Sequence, residues 1–174
     1  SMYWLTGYDT FGYVFFQTLI LNKNGNIILL TRAPDLRQAQ NTSNIKDIRI
    51  WVDEDGSNPT DDLKIILDEL NLKGKKIGVE YEAYGLTGRN ALRLNKSLEN
   101  YCDVEDQSDI ITKLRVVKSK EEIEYVRKAA KLADKALDEV WKHAKAGVSE
   151  SKILAEMNRV IFEGGGDYPA NEFI

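Results

Sequence analysis

Two consecutive amphipathic helices are predicted over residues 113–166, and this stretch constrains the fold more than any other part of the chain. Ser119 predicts the start of the first helix, because its hydroxyl can accept a hydrogen bond from an unpaired first-turn amide, and Glu122 can complete a capping box. Gly147 predicts the end of this helix, and Ser149 predicts the start of the next. The spacing alone predicts an αα-hairpin, as in any helical bundle. The apolar positions recur at steps of three and four residues: Ile123, Val126, Ala130, Ala133, Leu137, Val140 and Trp141, then Ile153, Leu154, Met157, Val160 and Ile161.

A β-hairpin is predicted nearer the N-terminus. Residues 13–21 are rich in β-branched and aromatic side chains, which favours a central strand. Asn24 and Gly25 both tolerate positive φ, so they predict a two-residue hairpin turn, with a partner strand over residues 27–31. Because a hairpin joins antiparallel strands, the predicted sheet is mixed and not wholly parallel.

Strands and helices then alternate up to the amphipathic helices. The further predicted elements are a helix at 33–41, a strand at 47–52, a helix capped by Thr60 with Leu63, Ile66, Leu67 and Leu70 facing inward, a strand at 77–80, a helix at 87–98, a short strand at 101–104 and a connector at 109–115 that can hold a helical turn. This alternation predicts an α/β domain with a mixed β-sheet flanked by helices. The alternation of strands and helices ends near residues 112–118, where the long amphipathic helices begin. We therefore predict an α/β domain over residues 1–114 and the start of a second domain over residues 115–174.

The composition excludes several classes of protein. The chain has 174 residues, 43% of them hydrophobic, and a formal net charge of -4, so it can build a core but lacks the basic surface that nucleic acids require. Its single cysteine, Cys102, rules out an internal disulfide and a cysteine-based zinc cage. No apolar run approaches the roughly 20 residues of a membrane span, and no signal-peptide pattern is present at the start. We expect a cytoplasmic location, with no nucleic-acid or membrane partner.

Three segments resemble the creatinase/prolidase family of metallohydrolases. They are LRVVKSKEEIEYVRKAAKLADKAL with AGVSESKILAEM in the helical stretch, Tyr3-Trp4-Leu5-Thr6-Gly7-Tyr8 near the N-terminus, and Gly165-Gly166-Asp167-Tyr168-Pro169-Ala170 near the C-terminus. The family includes prolidases, Xaa-Pro aminopeptidases, creatinase and ectoine-type hydrolases. The resemblance implies a creatinase-type N-terminal α/β domain and the helical hairpin that begins an α+β "pita-bread" catalytic domain. It also implies that both ends are cut, and that residues 171–174 enter the first catalytic strand.

The same resemblance implies chemistry that this stretch does not carry. Family members cleave a C–N bond of a proline-containing peptide or related small molecule with a water activated by two divalent metal ions, manganese, cobalt, zinc or iron. Two Asp, one His and two Glu hold the metals, and we expect these ligands beyond Ile174. We therefore expect no catalytic residue and no metal ion in this chain. The alternative is a metal-free binding or chaperone-type homologue with the same fold.

Substrate contacts are predicted in the turn and strand that follow Tyr8. In homodimers of the family, the N-terminal domain of one subunit reaches toward the partner's active site with this region, so Phe11, Tyr13 and Phe15 are candidate substrate-binding residues. The alternative is that the three side chains alternate onto one face of a strand and pack a core. Arg32, just after a strand, is a fainter candidate for a substrate carboxylate, and a surface ion pair is its alternative.

Other groups are better explained without catalysis. His143, the only histidine, lies near a helix C-terminus, where its imidazole favours the helix dipole, so we predict a structural role. Asp134 and Asp138 share a helix face with lysines, which indicates a solvated ion-pair face. The glycine run at 164–166 follows a helix and so offers no helix N-terminus to a phosphate.

Overall fold

The structure, a computed structural model, describes residues 1–167. The strand predicted at 171–174 lies outside the described residues. The chain divides into two compact units, residues 1–115 and 116–174.

The first unit contains five helices and five strands within its described residues, and two of its turns are 3-10 helices. In chain order the regular elements are α1 (Met2–Thr6), β1 (Thr18–Leu21), β2 (Ile27–Arg32), α2 (Leu36–Thr42), β3 (Asp47–Trp51), α3 (Pro59–Glu69), β4 (Lys76–Val79), α4 (Gly88–Leu98), β5 (Asp103–Asp106) and α5 (Asp109–Val116). The 3-10 turns are Gly12–Val14 and Ala33–Asp35.

The strands form two small sheets. The first has the order β1-β2-β3, in which β1 runs antiparallel and β3 parallel to the central β2. The second contains β4 and β5, which are parallel. The mixed sheet flanked by helices is therefore confirmed.

Strand β2 organises the core because both of its faces are covered. Leu29 and Leu30 are adjacent, so their side chains point to opposite sides of the sheet, and both are almost fully buried. Leu30 packs in the larger cluster with Leu63, Leu67 and Leu98 of α3 and α4. Leu29 packs in a smaller cluster that contains Tyr8, Ala39 and Ile45. An uninterrupted apolar run is what a strand buried on both faces requires.

The central strand predicted at 13–21 is wrong in its first half, and it is wrong in its position, because β1 lies at an edge of its sheet and β2 is central. Residues 12–14 form a 3-10 turn, and the strand begins only at Thr18. The Thr10 hydroxyl accepts a hydrogen bond from the Gly12 amide (2.7 Å), and the Phe15 amide donates to the Gly12 carbonyl (3.0 Å). These local bonds compete with strand formation and override the β-propensity of the aromatic side chains.

The hairpin turn is correctly located, but the two-residue type is wrong. Gly25 has a φ of 82°, whereas Asn24 does not have positive φ. The Asn22 amide donates to the Asn26 carbonyl (3.2 Å), and the Gly25 amide donates to the Asn22 carbonyl (2.9 Å), so three residues form the loop. The Asn22 side chain supports it by accepting a hydrogen bond from the Asn24 amide (2.9 Å).

The helix start predicted at Thr60 is also wrong. The helix begins at Pro59, with Asn58 in the capping position, because a proline at the first helical position loses no intrahelical bond. Thr60 is fully buried, and its hydroxyl is 2.8 Å from the Ser97 hydroxyl of α4.

The second unit contains two helices within its described part, α6 (Lys120–His143) and α7 (Glu150–Glu163). The predicted capping box is confirmed, since the Glu122 amide donates to the Ser119 hydroxyl (3.2 Å) and the Glu122 carboxylate accepts from the Ser119 amide (2.7 Å). Helix α6 ends before Gly147, which has a φ of 87° in the connecting turn.

The apolar face of this helical pair remains largely uncovered. Ala136 is the only buried residue of α6, and α7 has none. Large apolar side chains are exposed along both helices: Ile123, Val126, Leu137, Trp141, Leu154 and Phe162.

Candidate functional site

The three predicted substrate-binding residues lie in one surface turn. We call residues 11–15 the aromatic turn; it contains the 3-10 helix Gly12–Val14. Phe11, Tyr13 and Phe15 are all exposed, and Phe11 retains 80% of its accessible surface. The structure therefore places these rings at the surface and not in a strand that packs a core.

A fourth ring, which the sequence did not indicate, extends this surface. The ring centroids of Phe11 and Tyr13 are 5.7 Å apart, and those of Tyr13 and Tyr84 are also 5.7 Å apart. Both pairs are tilted, an arrangement that aromatic quadrupoles favour. Tyr84 is 91% exposed, so both ends of this row of three rings, Phe11 and Tyr84, are open to solvent.

Gly85 allows the loop that carries Tyr84 to approach the aromatic turn. A Cβ at Gly85 would lie 2.3 Å from the backbone carbonyl oxygen of Tyr13, a separation that no side chain can occupy. The close backbone approach depends on the missing side chain. The row of rings is thus assembled from two segments far apart in sequence.

Arg32 contacts the aromatic turn through its guanidinium group, which packs against the Phe15 ring. Its guanidinium carbon is 3.5 Å from the centroid of the Phe15 ring. Its Nε is 3.6 Å from Asp35 Oδ2, and its Nη1 is 3.8 Å from Asp53 Oδ2. Two carboxylates thus surround one guanidinium, which disfavours the binding of a substrate carboxylate. The ion-pair interpretation of Arg32 is the one that the geometry supports.

The lone cysteine does not have the environment of a nucleophile. Cys102 is half-buried, and burial, followed by the negative charge of Asp103, raises the pKa of its thiol. A thiol with a raised pKa remains protonated near neutral pH, and only the thiolate attacks.

One group of side chains within residues 1–167 has the composition of a metal site. It contains Glu139 and His143 of α6 and Glu156 of α7. His143 Nε2 lies 3.1 Å from Glu139 Oε2, and a hydrogen bond from Arg159 holds the pKa of Glu156 below its ordinary value. One histidine and two glutamates do not match the two Asp, one His and two Glu implied by the resemblance, so we derive no catalytic step from them.

A comparison with known protein families shows to which family the chain belongs. The model of the creatinase/prolidase N-terminal domain matches residues 1–117, which is well over half of the chain. The chain belongs to the creatinase/prolidase N-terminal domain family. This confirms the family indicated by the sequence motifs.

Curated relatives extend the similarity into the helical pair. The chain is 27% identical to the ectoine hydrolase of Halomonas elongata over 193 residues, which covers 98% of this chain and 46% of the relative. It is 32% identical to the Xaa-Pro dipeptidase of Pyrococcus furiosus over 79 residues, which covers 45% of this chain and 23% of that protein. The chain thus spans less than half the length of these relatives.

Solved structures show the same fold. The prolidase of Thermococcus sibiricus superposes with a TM-score of 0.74 at 21% identity, covering 95% of this chain and 43% of that one. A dipeptidase from Pyrococcus horikoshii superposes with a TM-score of 0.67 at 25% identity, covering 93% of this chain and 43% of that one.

Within the described residues, no helix combines the length and the apolar character that crossing a membrane requires.

Proposed function

We propose that this chain is the N-terminal part of a hydrolase that cleaves a C–N bond in an Xaa-Pro peptide or a related small molecule. The observation that carries the proposal is the similarity to an ectoine hydrolase along 98% of the chain, together with 32% identity to an Xaa-Pro dipeptidase over 79 residues. The resemblance assigns water activation to two divalent metal ions, and the ligand set for them is not found within residues 1–167. We place the contribution of the described residues in substrate binding.

The proposed contribution is an aromatic wall for the substrate. Phe11 and Tyr13 of the aromatic turn, with Tyr84 beside them, offer exposed aromatic surface that an apolar ring such as that of proline can pack against. Phe15 completes the turn, and its ring is held by the Arg32 guanidinium. In a homodimer this wall would face the active site of the partner subunit.

An activity assay on the full-length protein tests the proposal. Xaa-Pro dipeptides and ectoine are offered as substrates before chelation, after chelation, and after re-addition of manganese, cobalt, zinc or iron. We expect hydrolysis of one of these substrate classes, its loss on chelation and its recovery with metal. A correctly folded protein that hydrolyses neither class under any metal condition would contradict the proposal and favour the metal-free binding homologue.

A further inference from the structure

Three side chains of the kinds that bind metals converge between the two helices of the second unit. Glu139 and His143 lie one turn apart on α6, so their side chains share a face of the helix. Glu156 approaches from α7, and one ligand atom from each of the three residues lies within 4.8 Å of the others. All three side chains are half-buried, with 15%, 27% and 28% of their surface exposed for Glu139, His143 and Glu156 respectively.

We propose that Glu139, His143 and Glu156 form a binding site for a divalent transition-metal ion such as Zn²⁺. An imidazole nitrogen with two carboxylate oxygens is a donor set that suits borderline metals. Three protein ligands leave a further coordination position for water. This proposal does not depend on the hydrolase activity, because it concerns only residues of α6 and α7.

The carboxylates of Glu139 and Glu156 already form ion pairs with cationic side chains. Arg159 Nε donates to Glu156 Oε2 at 2.8 Å, and Arg159 Nη2 is 3.9 Å from Glu139 Oε2. Lys142 Nζ lies 3.3 Å from Glu139 Oε1. The cluster therefore already holds two cationic side chains, and a metal ion would have to compete with them.

Arg159 can leave the site without losing every partner. Its Nη1 already donates to Glu163 Oε2 at 2.6 Å, and 45% of its side-chain surface is exposed. An incoming ion can replace the guanidinium at Glu156 while Glu163 retains it. Arg159 is thus a competitor of the metal, and removing it should strengthen metal binding.

A bound ion would connect the C-terminal end of α6 to the middle of α7. Because metal that binds only the folded state stabilises that state by mass action, saturating Zn²⁺ should raise the denaturation midpoint of the helical pair. Ala136 is the only fully buried residue of the two helices, so such a link would add to a helical pair with little fully buried core.

Titration of the 174-residue chain, freed of metal by chelation, tests the site. Zn²⁺ binding is followed by calorimetry, and Co²⁺ binding by its visible absorption. We expect one ion per chain, with binding weakened at least about tenfold in Glu156→Gln and in His143→Ala, the order of effect that even outer-shell changes produce. We expect Arg159→Ala to tighten binding. The matched control is Glu124→Gln, which removes the same charge from an exposed position of α6 and should leave affinity unchanged.

The outcomes separate a metal site from a structural ion-pair network. Circular dichroism confirms that each variant retains its helices, and Glu156→Gln remains informative if His143→Ala does not fold. The proposal is overturned if Zn²⁺ does not bind stoichiometrically, if Glu156→Gln binds as tightly as Glu124→Gln, or if Arg159→Ala weakens binding.

Discussion

The indole nitrogen of Trp51 donates a hydrogen bond to the backbone carbonyl of Phe16 across 2.9 Å. Both side chains are buried in the larger core cluster, although they lie far apart in sequence. Trp51 ends β3, and Phe16 immediately follows the aromatic turn. The exposed rings of residues 11–15 are therefore attached to the sheet through a buried bond, which gives a surface loop the fixed base that recognition requires.

The contact between Gly85 and Tyr13 predicts a position-specific effect of alanine. Gly85→Ala places a methyl group against the Tyr13 carbonyl, so we expect the loop to move and the protein to lose about 1–3 kcal/mol, the usual cost of overpacking. Gly88→Ala is the matched control, since a Cβ there meets nothing within 4 Å. Chemical denaturation measures both. Equal stabilities of the two variants would show that the close approach is absent.

The three-residue hairpin loop predicts that alanine substitutions at two neighbouring residues differ in their effect on stability. Gly25 has positive φ, so Gly25→Ala should destabilise the protein by about 1–2 kcal/mol, the cost of a left-handed conformation for an L-residue. Asn24→Ala should stay within about 0.5 kcal/mol of the unmodified chain, as surface substitutions usually do. The two-residue turn expected from the sequence would instead make both positions sensitive. Denaturation midpoints of the two variants distinguish the loop types.

The raised pKa of Tyr101 predicts that the folded protein loses stability in alkaline solution. Burial, followed by the hydrogen bond that its hydroxyl donates to Asp68 (2.7 Å), raises its pKa from 10.0 to about 12. Because the folded state favours the protonated phenol, this stabilisation is complete below the unfolded pKa of 10.0 and is lost as pH rises through about 12.

The variant Tyr101→Phe isolates this contribution. It removes the hydrogen bond and should cost about 1 kcal/mol near neutral pH. The difference in unfolding free energy between the unmodified chain and the variant should shrink between pH 10.0 and about 12. A difference that stays constant over this interval would contradict the assignment.

Local signals in the sequence were sufficient for much of the fold. The capping box of Ser119 and Glu122 is formed as predicted, because all of its bonds lie within one helical turn. The partner strand predicted at 27–31 corresponds to β2, but the burial of residues 28–31 on both faces of the sheet was not predicted. The turn around Gly25 was located from its composition, but its type depends on bonds made by Asn22 and Asn26.

The candidate sites required tertiary structure. Tyr84 joins Tyr13 only because a distant loop folds against the aromatic turn, and no local pattern encodes that contact. His143 was predicted to be structural because it lies near a helix C-terminus, where its imidazole favours the helix dipole. Glu156, which brings the cluster to three ligands, lies on the following helix. The expectation that this chain holds no metal ligands considered each helix separately, and the proposed site depends on their pairing.

The aromatic wall is the central claim for this chain, and steady-state kinetics of the full-length protein test it most directly. Phe11→Ala and Tyr84→Ala are compared with Leu92→Ala, which removes an exposed apolar side chain of α4 in the same unit. We predict that kcat/KM falls about three- to tenfold in the first two variants, the loss expected for one aromatic contact, while kcat changes little. Values of kcat/KM equal to that of Leu92→Ala in both aromatic variants would contradict the account.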